Sequence, residues 1–362
     1  MANFVNNSAS YRHGGNPGFD LRRLNLPEMP VLDFSVNINP LGAPLMIKGK
    51  WGEFVSAVER YPSIHGDGVN SYYEHRFNLS PPNILAGNGS TEMIYLVPRV
   101  LHFRHALIVA PSYHDYERAS LLSGATAEKY PLSPEEEFSF PGLDRLVPAL
   151  KNADAVWIGR PNNPTGTLIP KPIIEELARR FPQKWFIIDE AFIQFLDSWE
   201  EQSLLCGEPK ANILVIHSLT KFYALTGLRL GAIAGPEDII SRLRRAKEPW
   251  SINGVAEKVA PLLLACTDYE KETRSLVAAE RKKMLQSLEI ADGITPFPST
   301  VNFLLCRWHK TKNLDDLMRH LLSQGVYIRD CRNFPGLENG FFRVGFRTPQ
   351  ENDLLVSLLA SF

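Results

Sequence analysis

The chain has 362 residues, 44% of them hydrophobic and 22% charged, and its 39 lysines and arginines nearly cancel its 40 aspartates and glutamates to leave a net charge of −1. This composition excludes a disordered chain or a coiled coil, and the balanced charge offers no broad field for nucleic acid or an anionic membrane, so a small-molecule partner is expected. At roughly 150 residues per domain the length suggests about two domains.

Residues 1–40 are rich in Asn, Pro and Gly and read as an extended arm joining the small domain. The opening Met1-Ala2-Asn3-Phe4 lacks a basic, then apolar, leader pattern, so export is not expected. Residues 41–250 form the expected large domain. In it Ala106–Ala110, Ala155–Ile158, Trp185–Ile188, Ile213–Ile216 and Leu230–Ala234 are short, continuously apolar runs separated by helical patterns, which predicts an α/β fold. Its sheet is expected to be mainly parallel and covered by helices on both faces. A helical pattern from Val255 to Ile290 predicts a bridging helix over 251–290, with Arg281, Lys282 and Lys283 on a solvated face. After the turn-rich Gly293–Thr300, strands are expected at Val301–Cys306, Val326–Asp330 and Phe341–Phe346, with a helix over Leu314–Gln324. These make a smaller α+β C-terminal domain, 291–362.

The longest apolar candidate, Val259–Cys266, is far short of the roughly 18 residues a membrane span needs. Cys206, Cys266, Cys306 and Cys331 are widely spaced, with no C-x-x-C pair or zinc-type spacing, so reduced thiols, a cytoplasmic compartment and no metal site are expected.

In sheets of this kind ligands bind beyond the carboxyl ends of the strands. There the sequence places Arg160-Pro161-Asn162-Asn163-Pro164-Thr165-Gly166, Asp189-Glu190-Ala191-Phe192 and Ser218-Leu219-Thr220-Lys221, followed by Gly227-Leu228-Arg229-Leu230-Gly231. Singly these are a turn, a helix cap and a surface lysine; in this order they match the needs of pyridoxal phosphate. Lys221 supplies an amine for the cofactor's aldehyde and Asp189 a carboxylate for its ring nitrogen. Asn163 supplies an amide for its phenolic oxygen. Ser218, Thr220 and Arg229 would hold its phosphate, with the amides of Gly87-Asn88-Gly89-Ser90-Thr91 at a helix N-terminus.

Competing motifs fail. The S-x-x-K of Ser218–Lys221 lacks S-D-N and K-T-G companions, Glu92 stands where a dinucleotide fingerprint needs its third glycine, and His102 and His105 have no carboxylate ligand nearby.

With His13-Gly14-Gly15-Asn16, Leu32-Asp33-Phe34-Ser35-Val36-Asn37-Ile38-Asn39-Pro40-Leu41-Gly42, Arg60-Tyr61-Pro62, Pro249-Trp250-Ser251-Ile252-Asn253 and Arg343-Val344-Gly345-Phe346-Arg347, the chain resembles fold-type I pyridoxal phosphate enzymes of the histidinol-phosphate aminotransferase-like group. Within that group it is most similar to the threonine-phosphate decarboxylases of cobalamin biosynthesis. The resemblance implies that Asn88, Gly89 and Ser90 join the cofactor site and that Tyr113, or alternatively Tyr116, lies against the cofactor ring. It also implies that His13, Gly14, Asn37, Asn163, Arg329 and Arg343 line the substrate pocket. Tyr61 would reach the cofactor phosphate of a second subunit, implying a homodimer. The implied reaction is loss of carbon dioxide from L-threonine O-3-phosphate, giving (R)-1-aminopropan-2-yl phosphate. Transamination of histidinol phosphate is the alternative, as is decarboxylation of L-serine O-phosphate, which lacks one methyl and so differs by only about 1–3 kcal/mol in an apolar pocket. Two departures stand out: Phe192 occupies a place where many aminotransferases carry a tyrosine, and Arg160 would either touch substrate or pair with an acid.

Overall fold

The computed structural model describes residues 13–310 and 313–362; of the expected arm, 1–12 lie outside the described residues. The strands are β1 (Leu32–Asp33), β2 (Ile84–Asn88), β3 (His105–Ala110), β4 (Thr126–Pro131), β5 (Ala155–Gly159), β6 (Trp185–Asp189), β7 (Ile213–Ser218) and β8 (Leu230–Ala234), then β9 (Ile294–Pro296), β10 (Phe303–Trp308), β11 (Val326–Tyr327), β12 (Arg329–Asp330) and β13 (Phe341–Gly345). The main sheet has the order β2-β8-β7-β6-β5-β3-β4. Only β8 runs against its neighbours, β2 and β7. Alternate residues of the central strands enter two separate cores: Val156, Ile188 and Val215 pack on one face, Trp157, Ile187 and Leu214 on the other. Both faces are therefore dry, which is why these strands read as unbroken apolar runs.

Two strands were invisible to that signal. β4 is an edge strand, half exposed, with Glu128 and Lys129 in it, and β2 ends in Gly87-Asn88, which reads as a turn. The chain passes from β3 outward to β4 and then returns to the far side of β3 for β5, so the strand order reverses between β3 and β5. The loops after these two strands thus open a crevice at the sheet's carboxyl edge.

The expected continuous bridge is interrupted: a short helix, Gly254–Val259, gives way to a tighter turn, Ala260–Ala265, before the long helix Thr267–Glu289. Pro261 in the turn has no amide to donate, which ends the first segment. Along the long helix Thr273, Val277, Glu280, Met284 and Leu288 recur every three or four residues and are buried. Glu280 accepts the Asn352 side-chain amide at 2.7 Å, tying this helix to the C-terminal helix Pro349–Ser361. Arg281 departs from the solvated-face expectation, since its guanidinium donates to the Thr300 carbonyl at 2.9 Å.

The C-terminal sheet, β12-β13-β10-β9, is antiparallel. The strand expected at Val326–Asp330 is divided at Ile328. β11 pairs in parallel with β1 of the arm, Leu32 opposite Val326, while β12 pairs with β13. No helix among the described residues is long and apolar enough to cross a membrane.

Candidate active site

A cavity of about 270 Å³ lies at the carboxyl edge of the main sheet, lined on its far side by Arg329 of β12, Arg343 of β13 and the arm residues His13, Gly14, Ser35, Val36 and Asn37. At the end of β6, Asp189 is only 7% exposed. One carboxylate oxygen accepts the Ala191 amide at 2.9 Å and the other the Tyr116 hydroxyl at 2.8 Å. Among the described residues no cation pairs with it, and burial pushes its pKa up to about 6 despite the Tyr116 hydrogen bond. The Tyr116 ring is itself stacked on Trp157, with centroids 5.0 Å apart.

β7 ends at Ser218, whose hydroxyl accepts the Thr220 amide at 3.3 Å and so caps the short turn Leu219–Phe222. This turn carries Lys221 into the cavity. Burial first, then the charges of Arg343 and Arg229, lower its pKa to about 8. The turn is clamped from outside by Asn39, whose backbone amide donates to the Lys221 carbonyl at 3.1 Å. The Asn39 side-chain amide donates to the Phe222 carbonyl and to Thr273, both at 2.7 Å. Sequence reading missed Asn39, although the motif containing it was in view: nothing in the pattern shows that an arm residue meets a turn some 180 positions away.

Ser90, Thr91, Ser218, Thr220 and Arg229 line one end of the cavity. Gly89 is required there by close approach and by φ +73°, since a Cβ would stand 2.7 Å from the Arg229 guanidinium. The structure narrows the expected cradle. The Gly89 amide donates to the Arg229 carbonyl at 2.8 Å and the Asn88 amide to Glu92 at 2.6 Å. Asn88 and Gly89 therefore shape the loop without lining the cavity, and the helix N-terminus reaches it through Ser90 and Thr91.

At the other end Arg329 and Arg343 are directly opposed across β12 and β13. Arg343 donates to the Asn163 side-chain oxygen and, at 2.8 Å, to the Ser35 carbonyl. Its buried Nε and the buried side-chain oxygen of Asn37 have no partner among the described residues. Burial lowers the Arg343 pKa to about 10, which leaves it cationic at neutral pH. Arg329 donates to Asn333 at 3.0 Å and lies over the Phe334 ring at 5.2 Å. Gly14 packs so closely on Ser35 that a Cβ would stand 2.5 Å from its carbonyl. His13 lies beside His114, their Nε2 atoms 3.3 Å apart. Tyr113 and Tyr116 both line the cavity, but the Tyr116 hydroxyl is committed to Asp189.

Phe192 lines the wall edge-on to Phe303 and offers no hydroxyl. Arg160 is resolved in favour of an acid: fully buried, it donates to Glu190 at 2.6 Å, Gln202 at 3.0 Å and the Ile169 carbonyl at 2.5 Å, away from the cavity. Tyr61 is 85% exposed against Trp250 and does not line this chain's own cavity. His114 and Phe334 also line the cavity, and neither is among the residues singled out in the sequence.

An amine held near neutrality, a buried carboxylate lacking a cation and a hydroxyl-and-arginine cradle fit pyridoxal phosphate. Residues 56–359 match the family described as aminotransferase class I and II. The chain belongs to this family. Its cofactor is pyridoxal 5′-phosphate, and its fold is that of the fold-type I enzymes. A threonine-phosphate decarboxylase of Salmonella typhimurium is 34% identical over 352 residues, 96% of this chain and 95% of the relative. An adenosylcobalamin biosynthesis bifunctional protein CobDQ of Leptospira interrogans is 29% identical over 96% of this chain and 41% of its own length. Among solved structures, a histidinol-phosphate aminotransferase from Clostridium acetobutylicum superposes with TM-score 0.84 at 31% identity, covering 91% of this family member and 98% of that chain.

Proposed function

We propose that this family member is a pyridoxal phosphate-dependent decarboxylase that converts L-threonine O-3-phosphate to (R)-1-aminopropan-2-yl phosphate and carbon dioxide, supplying the aminopropanol linker of cobalamin. The observation that carries the reading is the opposed pair Arg329 and Arg343, together with near full-length similarity to a threonine-phosphate decarboxylase. Two arginines suit a substrate bearing both a carboxylate and a phosphate.

When bound, the cofactor supplies an electron sink for the pair left on Cα. Ser90, Thr91, Ser218, Thr220 and Arg229 hold its phosphate, Asn163 its phenolic oxygen, and Tyr113 packs against its ring. Asp189, as a carboxylate, keeps a proton on its ring nitrogen; that cation in turn stabilises the charge which burial of Asp189 alone disfavours. Arg343 uses its unpartnered Nε to orient the substrate carboxylate, beside Asn37 and Asn163, and Arg329 and His13 take the phosphate. Phe192 and Phe334 keep water from the reacting bond. Lys221 returns a proton to Cα after carbon dioxide leaves; with its pKa near 8 it exchanges that proton readily around neutrality.

The exposed apolar side chains Leu45, Trp51, Val55, Val58, Tyr61 and Ile64, together with Trp250, support a second copy of the chain as partner, with Tyr61 carried to its cofactor phosphate. Four free thiols support a reducing, cytoplasmic compartment.

The test is carbon dioxide release by cofactor-loaded protein from L-threonine phosphate without any oxo acid, with L-serine phosphate, and histidinol phosphate plus 2-oxoglutarate, run alongside. Release from threonine phosphate is expected. Glutamate formation from histidinol phosphate without carbon dioxide would overturn the reading.

A further inference from the structure

At the substrate end of the cavity His13 is backed by a second imidazole with no assigned role. His13 Nε2 and His114 Nε2 are 3.3 Å apart, and Asp115 Oδ2 lies 4.0 Å from the former. His114 is buried, its ring packed on those of Tyr113 at 5.2 Å and Phe334 at 6.2 Å, so its orientation is fixed by neighbours on two different elements. His13 is half exposed and free to respond.

Two ring nitrogens at this separation form a hydrogen bond only when one carries a proton and the other a lone pair. Doubly protonated, the pair would set two N–H groups against each other. It therefore holds either no positive charge or one. The groups facing it are Asp115 and Arg118 from the helix Asp115–Leu122, Tyr113 from the preceding loop, Arg329 from β12 and Lys221 from the turn after β7, with the Tyr95 hydroxyl donating to Asp115 at 2.7 Å. Burial lowers both imidazoles, His114 to about 4; Asp115 opposes it, while Arg329 and Arg118 act with it. Near pH 7 the pair is thus neutral until an anion arrives. The two neighbouring guanidiniums also make this a poor place for a divalent cation and a good one for an anion.

We infer that His114 is a positioning residue that accepts the His13 N–H, so that His13 takes a proton from solvent when a phosphate dianion enters and phosphate binding carries a proton with it. This rests on the phosphate-binding role given above to Arg329 and His13. The dianion lowers the cost of a charge on His13, and the fixed lone pair of His114 directs which nitrogen of His13 keeps its hydrogen bond inward, leaving the other for the ligand.

The test uses the cofactor-loaded enzyme in calorimetric titrations at pH 8 with sulfate, a dianion that does not itself titrate there and is not turned over, in two buffers of different ionisation enthalpy. Uptake approaching one proton per site is expected. His114→Leu should cut that uptake to less than half and raise KM at pH 7.5 by about tenfold, the equivalent of one unit of His13 pKa. The rise of KM with pH should begin about one unit lower. His114→Gln, which restores an acceptor for the N–H, should recover most of the difference. Should His114→Leu fail to load cofactor, His13→Asn decides, because uptake that persists without that imidazole overturns the inference. So do absence of uptake or of sulfate binding in the parent enzyme, and an unmoved pH profile of KM in His114→Leu. Carbon dioxide release from L-threonine phosphate by an enzyme that shows no sulfate-linked uptake defeats this inference alone, whereas sulfate-linked uptake without carbon dioxide release defeats only the proposed reaction.

Discussion

Asp189 and Glu190 are consecutive acids at the end of one strand, and they live in opposite worlds. Glu190 points behind the sheet, where it and Arg160 are both fully buried. Its oxygens accept from Arg160 at 2.6 Å, Ser203 at 2.6 Å and the Leu204 amide at 3.1 Å, and Arg160 also donates to Gln202 and the Ile169 carbonyl. Asp189 points into the cavity with no cation beside it; Lys221 has no carboxylate, and the Nε of Arg343 has no acceptor, among the described residues. Burial is similar on the two sides, and satisfaction is not. A closed polar network fixes the loops 160–166 and 199–205 to the sheet, whereas the cavity groups are left wanting what a ligand brings. Unfulfilled polar capacity, rather than burial or charge, separates the working side of the strand from its structural side.

The comparison can be broken most severely at Lys221. Lys221→Ala should lower the rate of carbon dioxide release by on the order of 10² to 10⁴-fold from loss of proton transfer alone, with unfolding in denaturant little changed. Behind the sheet the effect should be the converse. Glu190→Ala strands the Arg160 cation and should cost about 3–5 kcal/mol in urea unfolding, while the double change Arg160→Met with Glu190→Leu should cost much less.

Asp189 sharpens the contrast, because its unmet need should be visible as a pH dependence. Its folded pKa, about 6, lies above the ordinary 3.8, so the folded protein binds more protons than the unfolded chain between those values. Without cofactor, stability should therefore fall as pH rises from about 4 to 6, by roughly 3 kcal/mol at most. Asp189→Asn should flatten that part of the profile in denaturant titrations while weakening cofactor binding; an equally steep profile in the variant would contradict the assignment. The smallest of these effects belongs to Arg343→Ala, which should raise KM by about ten- to a hundredfold, the worth of a charged hydrogen bond of about 1.5–3 kcal/mol, and leave cofactor affinity nearly intact.

Much of the cavity was legible because its residues follow strands that announce themselves. Lys221, Asp189 and Asn163 come directly after apolar runs, and a buried parallel sheet leaves its chemistry at those ends. Arg160 was ambiguous for a physical reason: a cation in a loop serves a ligand or an acid equally well until the loop's direction is known, and here it faces Glu190. A glycine loop before a helix reads as a set of free donors, yet the Asn88 amide is consumed by Glu92 and the Gly89 amide by the Arg229 carbonyl. His114 gave no signal, since its meaning depends wholly on His13 arriving from 101 residues away.

The sequence by itself determined the alternation of strand and helix, the residues that end each strand and hence the cofactor chemistry, because all of these are written in local periodicity and in loops a few residues long. It could not determine which donors remain unspent. That was decided by tertiary structure, which folds the arm back so that Asn39 clamps the lysine turn, sets Arg329 opposite Arg343 across two strands, and turns two adjacent acids to opposite faces of one sheet. Hydrogen-bonding capacity is a property of neighbours in space, and only the packed molecule says which neighbours those are.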